Sequence, residues 1–119
     1  MLPFDAPMRL LHEDVPFGTL TGYEYDTPWA SAYLDATDPV AQVRCESATS
    51  FQSWVETEPD DLSEDESDAR YADALVARGL TEADLDWCAA RWTIVTAAGE
   101  SYPTYALHFP APGVVSWRW

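Results

Sequence analysis

Carboxylates are concentrated in one short stretch of this chain, residues 56–68. The stretch holds eight of the 21 acidic residues and no Lys or Arg. Its carboxylates belong to Glu56, Glu58, Asp60, Asp61, Glu64, Asp65, Glu66 and Asp68. Carboxylate oxygens can bind a divalent cation, and a dense row of them can also dock on a basic protein surface. We call residues 56–68 the acidic segment.

The acidic segment does not have the spacing of a calcium-binding EF-hand loop. Such a loop needs Gly at its sixth position and Glu at its twelfth. Counted from Glu56, those positions hold Asp61 and Ser67; counted from Asp61, they hold Glu66 and Ala72. This spacing supports only weak, unspecific cation binding, so the sequence predicts no metal site here.

The His and Cys residues are few and scattered, with two of each in the chain. His12 is followed by two carboxylates and is interpreted as part of a solvated turn, and His108 as a half-buried strand residue. Cys45 and Cys88 fall in predicted helices, and we expect them to be reduced and partly buried. Zinc sites, Gly-x-Ser-x-Gly elbows and nucleotide-binding loops all need patterns that this sequence does not contain. The sequence therefore predicts no cofactor and gives no support for an enzyme.

The net charge of −15 restricts the classes of partner. Nucleic acids and anionic membranes are bound through Lys and Arg, so neither is expected as a direct ligand. The charge favours a basic protein partner, although it also serves solubility. The N-terminal residues show neither the basic nor the apolar region of a signal peptide, and no apolar run reaches membrane-spanning length. We therefore expect a cytoplasmic protein with one domain over residues 1–119.

Aromatic side chains provide a second set of candidate binding residues. They are Tyr23, Tyr25, Trp29, Tyr33, Trp117 and Trp119. The first four surround a predicted turn at Asp26–Pro28, where they either line a small-molecule pocket or cover a sheet face. The last two are either exposed binding anchors or members of a strand that is buried in the sheet.

Alternating apolar residues predict six strands in two groups of three. The predicted strands are Met8–His12, Gly18–Tyr25, Trp29–Asp35, Arg91–Ala97, Tyr102–Phe109 and Val114–Trp119. The first is bounded by prolines, which favours an edge strand. In the second, strict alternation places Tyr23 and Tyr25 on the same face.

Three helices are predicted between these groups of strands. The first has Asp38 as its N-cap and Pro39 at its first position, and it ends before Pro59. Its predicted apolar face contains Val40, Val43, either Ser47 or Ala48, Phe51, Trp54 and Val55. Ser63 and Glu66 have capping-box spacing for the second helix, which ends at Arg78–Gly79. Residues 81–84 begin a short third helix.

The order βββ-ααα-βββ predicts an α+β domain with a mainly antiparallel sheet of about six strands and helices on one face. In size, charge and α+β make-up, the chain resembles the small acidic immunity and inhibitor proteins that neutralise bacterial toxins. That resemblance implies a protein-binding module, for which inhibition is one candidate role. The uninterrupted charge of residues 56–68, rather than the resemblance, suggests that such a module would dock on a basic partner through this segment. Two alternatives stay open: a small-ligand-binding protein or enzyme that uses the aromatic sheet face, and a domain whose acidity serves solubility only.

Overall fold

Three helices interrupt seven strands in residues 4–119, the part of the chain that the computed structural model describes. The elements are β1 Met8–His12, β2 Val15–Asp26, β3 Trp29–Ala36, α1 Pro39–Glu56, α2 Glu64–Ala77, α3 Glu82–Cys88, β4 Trp92–Val95, β5 Ser101–Pro103, β6 Tyr105–Ala111 and β7 Val114–Arg118. The predicted α+β class and the antiparallel pairing are confirmed. The predicted strand number is wrong, because there are seven strands rather than six.

The sheet has the strand order β5-β4-β1-β2-β3-β7-β6. The predicted strand Tyr102–Phe109 is in fact two strands, β5 and β6, which pair at opposite edges of this order. Thr104 alone joins them, so the sheet must curl until its two edges approach each other. The rings of Trp92 in β4 and Phe109 in β6 then pack with centroids 5.8 Å apart. The alternation of apolar and polar residues could not show this break, since the alternation stays the same when the chain stops pairing with one strand and begins to pair with another.

Two details of the strands also differ from the predictions. β1 is not an edge strand, because it lies between β2 and β4. Of its two bounding prolines, Pro7 precedes the paired residues, whereas Pro16 belongs to β2 and lies opposite Leu11, next to the register shift between Leu10 and Leu11. In β2, the register against β3 shifts between Thr21 and Glu24, and Gly22 has a positive φ of 66°. This irregularity leaves Tyr23 half-buried and Tyr25 exposed, so the two do not share one environment.

The helix boundaries are confirmed by their caps. The Asp38 carboxylate accepts hydrogen bonds from the backbone N–H groups of residues 40 and 41 at 3.0 and 3.3 Å. The Ser63 hydroxyl accepts from the Glu66 N–H at 3.2 Å, and residues 81 and 84 form a reciprocal capping box. Gly79 ends α2 with a φ of 67°, a left-handed conformation that glycine adopts without strain.

The buried face of α1 differs from the predicted one. Val40 and Val43 are 68% and 58% exposed, whereas the buried residues are Ala41, Cys45, Ala48 and Phe51. Small side chains on this face allow α1 to lie close to β6. There the Phe109 N–H donates to the Thr49 hydroxyl at 2.9 Å. The prediction was thus right for Ala48 and Phe51 and wrong for Val40 and Val43.

The helices do not form one layer on the sheet, as the sequence had suggested. α1 packs on β6, and α3 contributes Trp87 and Cys88 to the sheet core. α2 packs on α1 through a second hydrophobic cluster, which contains no strand residue. The buried members of this cluster are Ala48, Phe51, Ala74, Leu75, Leu80 and Leu85. The described chain is therefore elongated, with principal extents of 53 × 29 × 20 Å.

Gly18 allows the close contact between β2 and β3, and its replacement should be costly. A Cβ at this position would lie 2.6 Å from the Asp35 carbonyl oxygen and 2.9 Å from the Ala36 Cα. We expect Gly18→Ala to lower the free energy of unfolding by about 1–3 kcal/mol, since backbone atoms must move apart. Urea denaturation measures this change. Thr19→Ala, at the exposed neighbouring position, is the control and should cost less than about 1 kcal/mol; equal effects of the two variants would refute the close-contact argument.

Candidate functional site

An open groove of about 520 Å³ runs between α1, α3 and β6. Nine of its lining residues carry polar, thiol or aromatic groups: Trp29, Cys45, Thr49, Gln52, Ser53, Glu56, Cys88, His108 and Phe109. Trp29 comes from the predicted aromatic set and Glu56 from the acidic segment. The groove is thus where the two sets of residues predicted from the sequence meet.

Two thiols lie side by side in this groove. Cys45 is 1% exposed on the buried face of α1, and Cys88 is half-buried at the end of α3. Their Sγ atoms are 3.6 Å apart. The hydrogen bond between the sulfurs lowers the pKa of Cys88, and it raises the pKa of Cys45 together with burial. Both cysteines are free thiols in helices, as predicted, although Cys45 is fully rather than partly buried. Their approach to each other across 43 residues was not predicted.

Trp29 and His108 form one wall of the groove. Their rings meet edge to face with centroids 5.2 Å apart, and the Arg118 guanidinium lies 5.8 Å from the Trp29 ring centroid. His108 Nδ1 lies 2.9 Å from the carbonyl oxygen of Ala106 on its own strand. This arrangement offers an aromatic and cationic surface.

The acidic segment begins at the last residue of α1, includes the connection at residues 57–63 and continues into the first five residues of α2. Glu58 is its one member with an ion pair among residues 4–119: the Arg70 Nη2 lies 2.9 Å from its carboxylate, and the Arg70 Nε donates to both oxygens at 3.0 and 3.1 Å. This pair fastens the loop to α2, so Glu58 has a structural role. The other seven acidic side chains are exposed.

Part of the remaining acidity is explained by the start of α2. Glu64, Asp65 and Glu66 occupy its first turn, where carboxylates interact favourably with the positive end of the helix dipole. Each such interaction contributes about 0.3–1 kcal/mol to helix stability at an exposed site. Four acidic residues of the segment have neither an ion pair among the described residues nor a place in the first turn of α2. They are Glu56, Asp60, Asp61 and Asp68.

The predicted aromatic face is not a single surface. Tyr23, Trp117 and Trp119 pack together at one end of the sheet, where the Trp119 indole N–H donates to the Tyr23 hydroxyl at 2.9 Å. Trp117 is fully buried, and its indole N–H has no hydrogen-bond partner among the described residues. Tyr25 and Tyr33 remain exposed. Of the original set, only Trp29 reaches the groove.

His12 is buried, which corrects its interpretation as a residue of a solvated turn. Its Nε2 lies 2.6 Å from the Trp87 carbonyl oxygen, and its ring packs on the Trp87 ring at 3.9 Å between centroids. Its neighbours Glu13 and Asp14 do lie in an exposed turn, where both contact Arg91. Over residues 4–119, no three His, Cys, Asp or Glu side chains are grouped to hold a metal ion.

Comparison with known protein families, curated proteins and solved structures found no match for this chain. Within the described part of the chain, no helix combines the length and apolar character that crossing a membrane requires. Function therefore has to be argued from the geometry of the groove and of the acidic segment.

Proposed function

We propose that this protein is a small acidic binding module of the cytoplasm that docks on a basic partner protein through the acidic segment. The observation that supports this proposal is the exposure of seven of the segment's eight carboxylate side chains. Only Glu58 is held by an ion pair among the described residues. The fold thus pairs Glu58 with Arg70 and uses three carboxylates in the first turn of α2, yet all seven carboxylates other than Glu58 stay exposed to a partner.

Electrostatics gives this surface a specific mode of action. Carboxylates within a few residues of one another reinforce their potential, which accelerates encounter with a positively charged surface and makes association sensitive to salt. A partner site that normally accepts phosphate would offer Arg and Lys to these oxygens. Occupying such a site would block it, so an inhibitory role of the immunity-protein kind follows from this mode of docking.

A second candidate function is small-ligand binding in the groove between α1, α3 and β6. Its volume of about 520 Å³ is within the range of small-molecule sites. Trp29 supplies an aromatic surface there, and Gln52 and His108 supply polar groups. A thermal-shift screen of small molecules tests this candidate, because a ligand that binds only the folded protein raises its melting temperature.

Neutralising the acidic segment tests the docking proposal. The variant changes Glu56, Asp60, Asp61, Asp65 and Asp68 to their amides and keeps Glu58, because Glu58 pairs with Arg70. The basic partner is captured from a lysate of the source organism at low salt and then purified. We expect the affinity of the variant for this partner to fall at least about tenfold, since several charges at the rim of the interface are lost. Isothermal titration calorimetry at two salt concentrations measures the loss.

A matched variant separates docking from net charge. It carries the same number of amide substitutions at exposed acidic positions outside the segment: Glu24, Asp26, Asp35, Asp73 and Asp86. The docking proposal predicts that this control keeps most of its affinity. Equal losses in the two variants would show that the acidity acts through overall charge alone, and unchanged binding in the segment variant would eliminate the acidic segment as the docking surface.

A further inference from the structure

Two thiols from different helices meet in the groove. Cys45 Sγ of α1 and Cys88 Sγ of α3 are 3.6 Å apart, and both residues line the cavity. Because a disulfide has an S–S bond of about 2.05 Å, the sulfurs need to approach by only about 1.5 Å more. Side-chain rotation can supply a movement of that size. The groove also gives a small oxidant access to them.

We propose that Cys45 and Cys88 form a redox-active dithiol site, at which a peroxide is reduced while an intrachain disulfide joins α1 to α3. The proposal concerns residues outside the acidic segment. It does not depend on the docking function.

The surroundings of the two sulfurs give them different roles. Cys88 is the more exposed thiol, and its hydrogen bond with Cys45 lowers its pKa, which favours the nucleophilic thiolate. Arg44 also favours the thiolate, whereas burial and Asp84 oppose it. Arg44 and Asp84 pair with each other at 3.4 Å. Cys45 is buried, with Glu46 and Arg44 as its charged neighbours, and its raised pKa keeps it protonated until it resolves the intermediate.

The chemistry balances with a peroxide as the oxidant. The Cys88 thiolate attacks one peroxide oxygen, the O–O bond breaks, and the leaving hydroxide takes up a proton to become water. Cys88 is then a sulfenic acid. Cys45 sulfur attacks Cys88 sulfur, the S–O bond breaks, and the hydroxyl leaves as water with the proton of Cys45. In total, two thiols and one hydrogen peroxide give one disulfide and two waters, with two electrons passing from sulfur to oxygen.

The experiment uses the full chain, reduced and then treated with hydrogen peroxide. Free thiols are alkylated, and the product is mapped by mass spectrometry before and after reduction with dithiothreitol. We expect an intrachain bond between residues 45 and 88, formed at a rate that does not depend on protein concentration. In the untreated protein, we expect iodoacetamide to modify Cys88 at least about tenfold faster than Cys45, because thiolate character and exposure control reactivity.

Two matched variants assign the roles. In the Cys45→Ala variant, oxidation should stop at a sulfenic acid on Cys88, which dimedone traps. In the Cys88→Ala variant, Cys45 should remain a free thiol under the same treatment. Disulfide-linked dimers, or over-oxidation of Cys88 while Cys45 stays a thiol in the wild-type chain, would overturn the proposal. Because these outcomes are scored on the wild-type chain, they stand even if the buried Cys45→Ala variant fails to fold.

Discussion

Replacing Phe51 with alanine is expected to lower the free energy of unfolding by about 3–5 kcal/mol, the usual cost of deleting a buried aromatic ring. Phe51 is fully buried, and it is the contact through which α1 holds α2. Its ring meets the Tyr71 ring edge to face at 4.9 Å and stacks near the Trp54 ring at 5.9 Å. No strand residue belongs to this cluster, so little else can compensate for the lost ring. Urea denaturation followed by circular dichroism measures the effect.

Val43→Ala is the matched control on the same helix. Val43 was predicted to lie on the buried face but is exposed, so its truncation should change stability by less than about 0.5 kcal/mol. If the free energy of unfolding of Phe51→Ala lay within about 1 kcal/mol of the wild-type value, α2 would have to be held by other contacts. A costly Val43→Ala would mean that the face predicted from the sequence, rather than the one in the structure, is buried.

The sequence predicted the helix ends well because their chemistry is local. A cap needs one side-chain oxygen and N–H groups two or three residues away, and those spacings can be read directly from the chain. Asp38, Ser63 and the capping box at residues 81–84 all occur where the sequence placed them. The position of the acidic segment between two helices was predictable for the same reason.

What the sequence could not predict depends on partners that are distant in the chain. The break at Thr104 separates β5 from β6, and it is established by the pairing of β5 with β4 and of β6 with β7. Likewise, the buried face of α1 is set by its approach to β6, which favours Ala41 and Cys45 over the larger Val40 and Val43. Pro103 was the one local signal of the break, because proline cannot donate to a sheet ladder.

The candidate site was only partly predictable for a related reason. The sequence predicted Glu56 and Trp29 as binding residues, but nothing in it placed them in the same groove. The thiol pair was also missed, although one hint was present. Cys45 lies four residues after Ala41 and three before Ala48, a spacing that puts it on the face α1 buries. If that face had been recognised, the Cys45 thiol would have been predicted to point into the protein, where another element could contact it.

Oxidation of the thiol pair is expected to raise the free energy of unfolding substantially. The disulfide would close a loop whose ends are 43 residues apart in sequence. Chain-entropy arguments for a loop of that length give about 4 kcal/mol, because the unfolded chain loses conformational freedom. For a chain of this size, that corresponds to a rise in melting temperature of roughly 15 °C. Thermal denaturation of the oxidised and the reduced protein measures the difference, and Cys88→Ala treated with peroxide is the control.

The location of this loop makes the prediction more specific than a general gain in stability. Residues 45–88 contain most of α1, the acidic segment, α2 and α3, whereas all seven strands lie outside it. The crosslink therefore opposes opening of the helical part with the sheet intact, and oxidation should slow amide hydrogen exchange in α2 more than in the central strands. A lower melting temperature after oxidation would show that closing the sulfurs strains the packing of α1 on α3. Uniform slowing in sheet and helices would instead show that the two parts open only together.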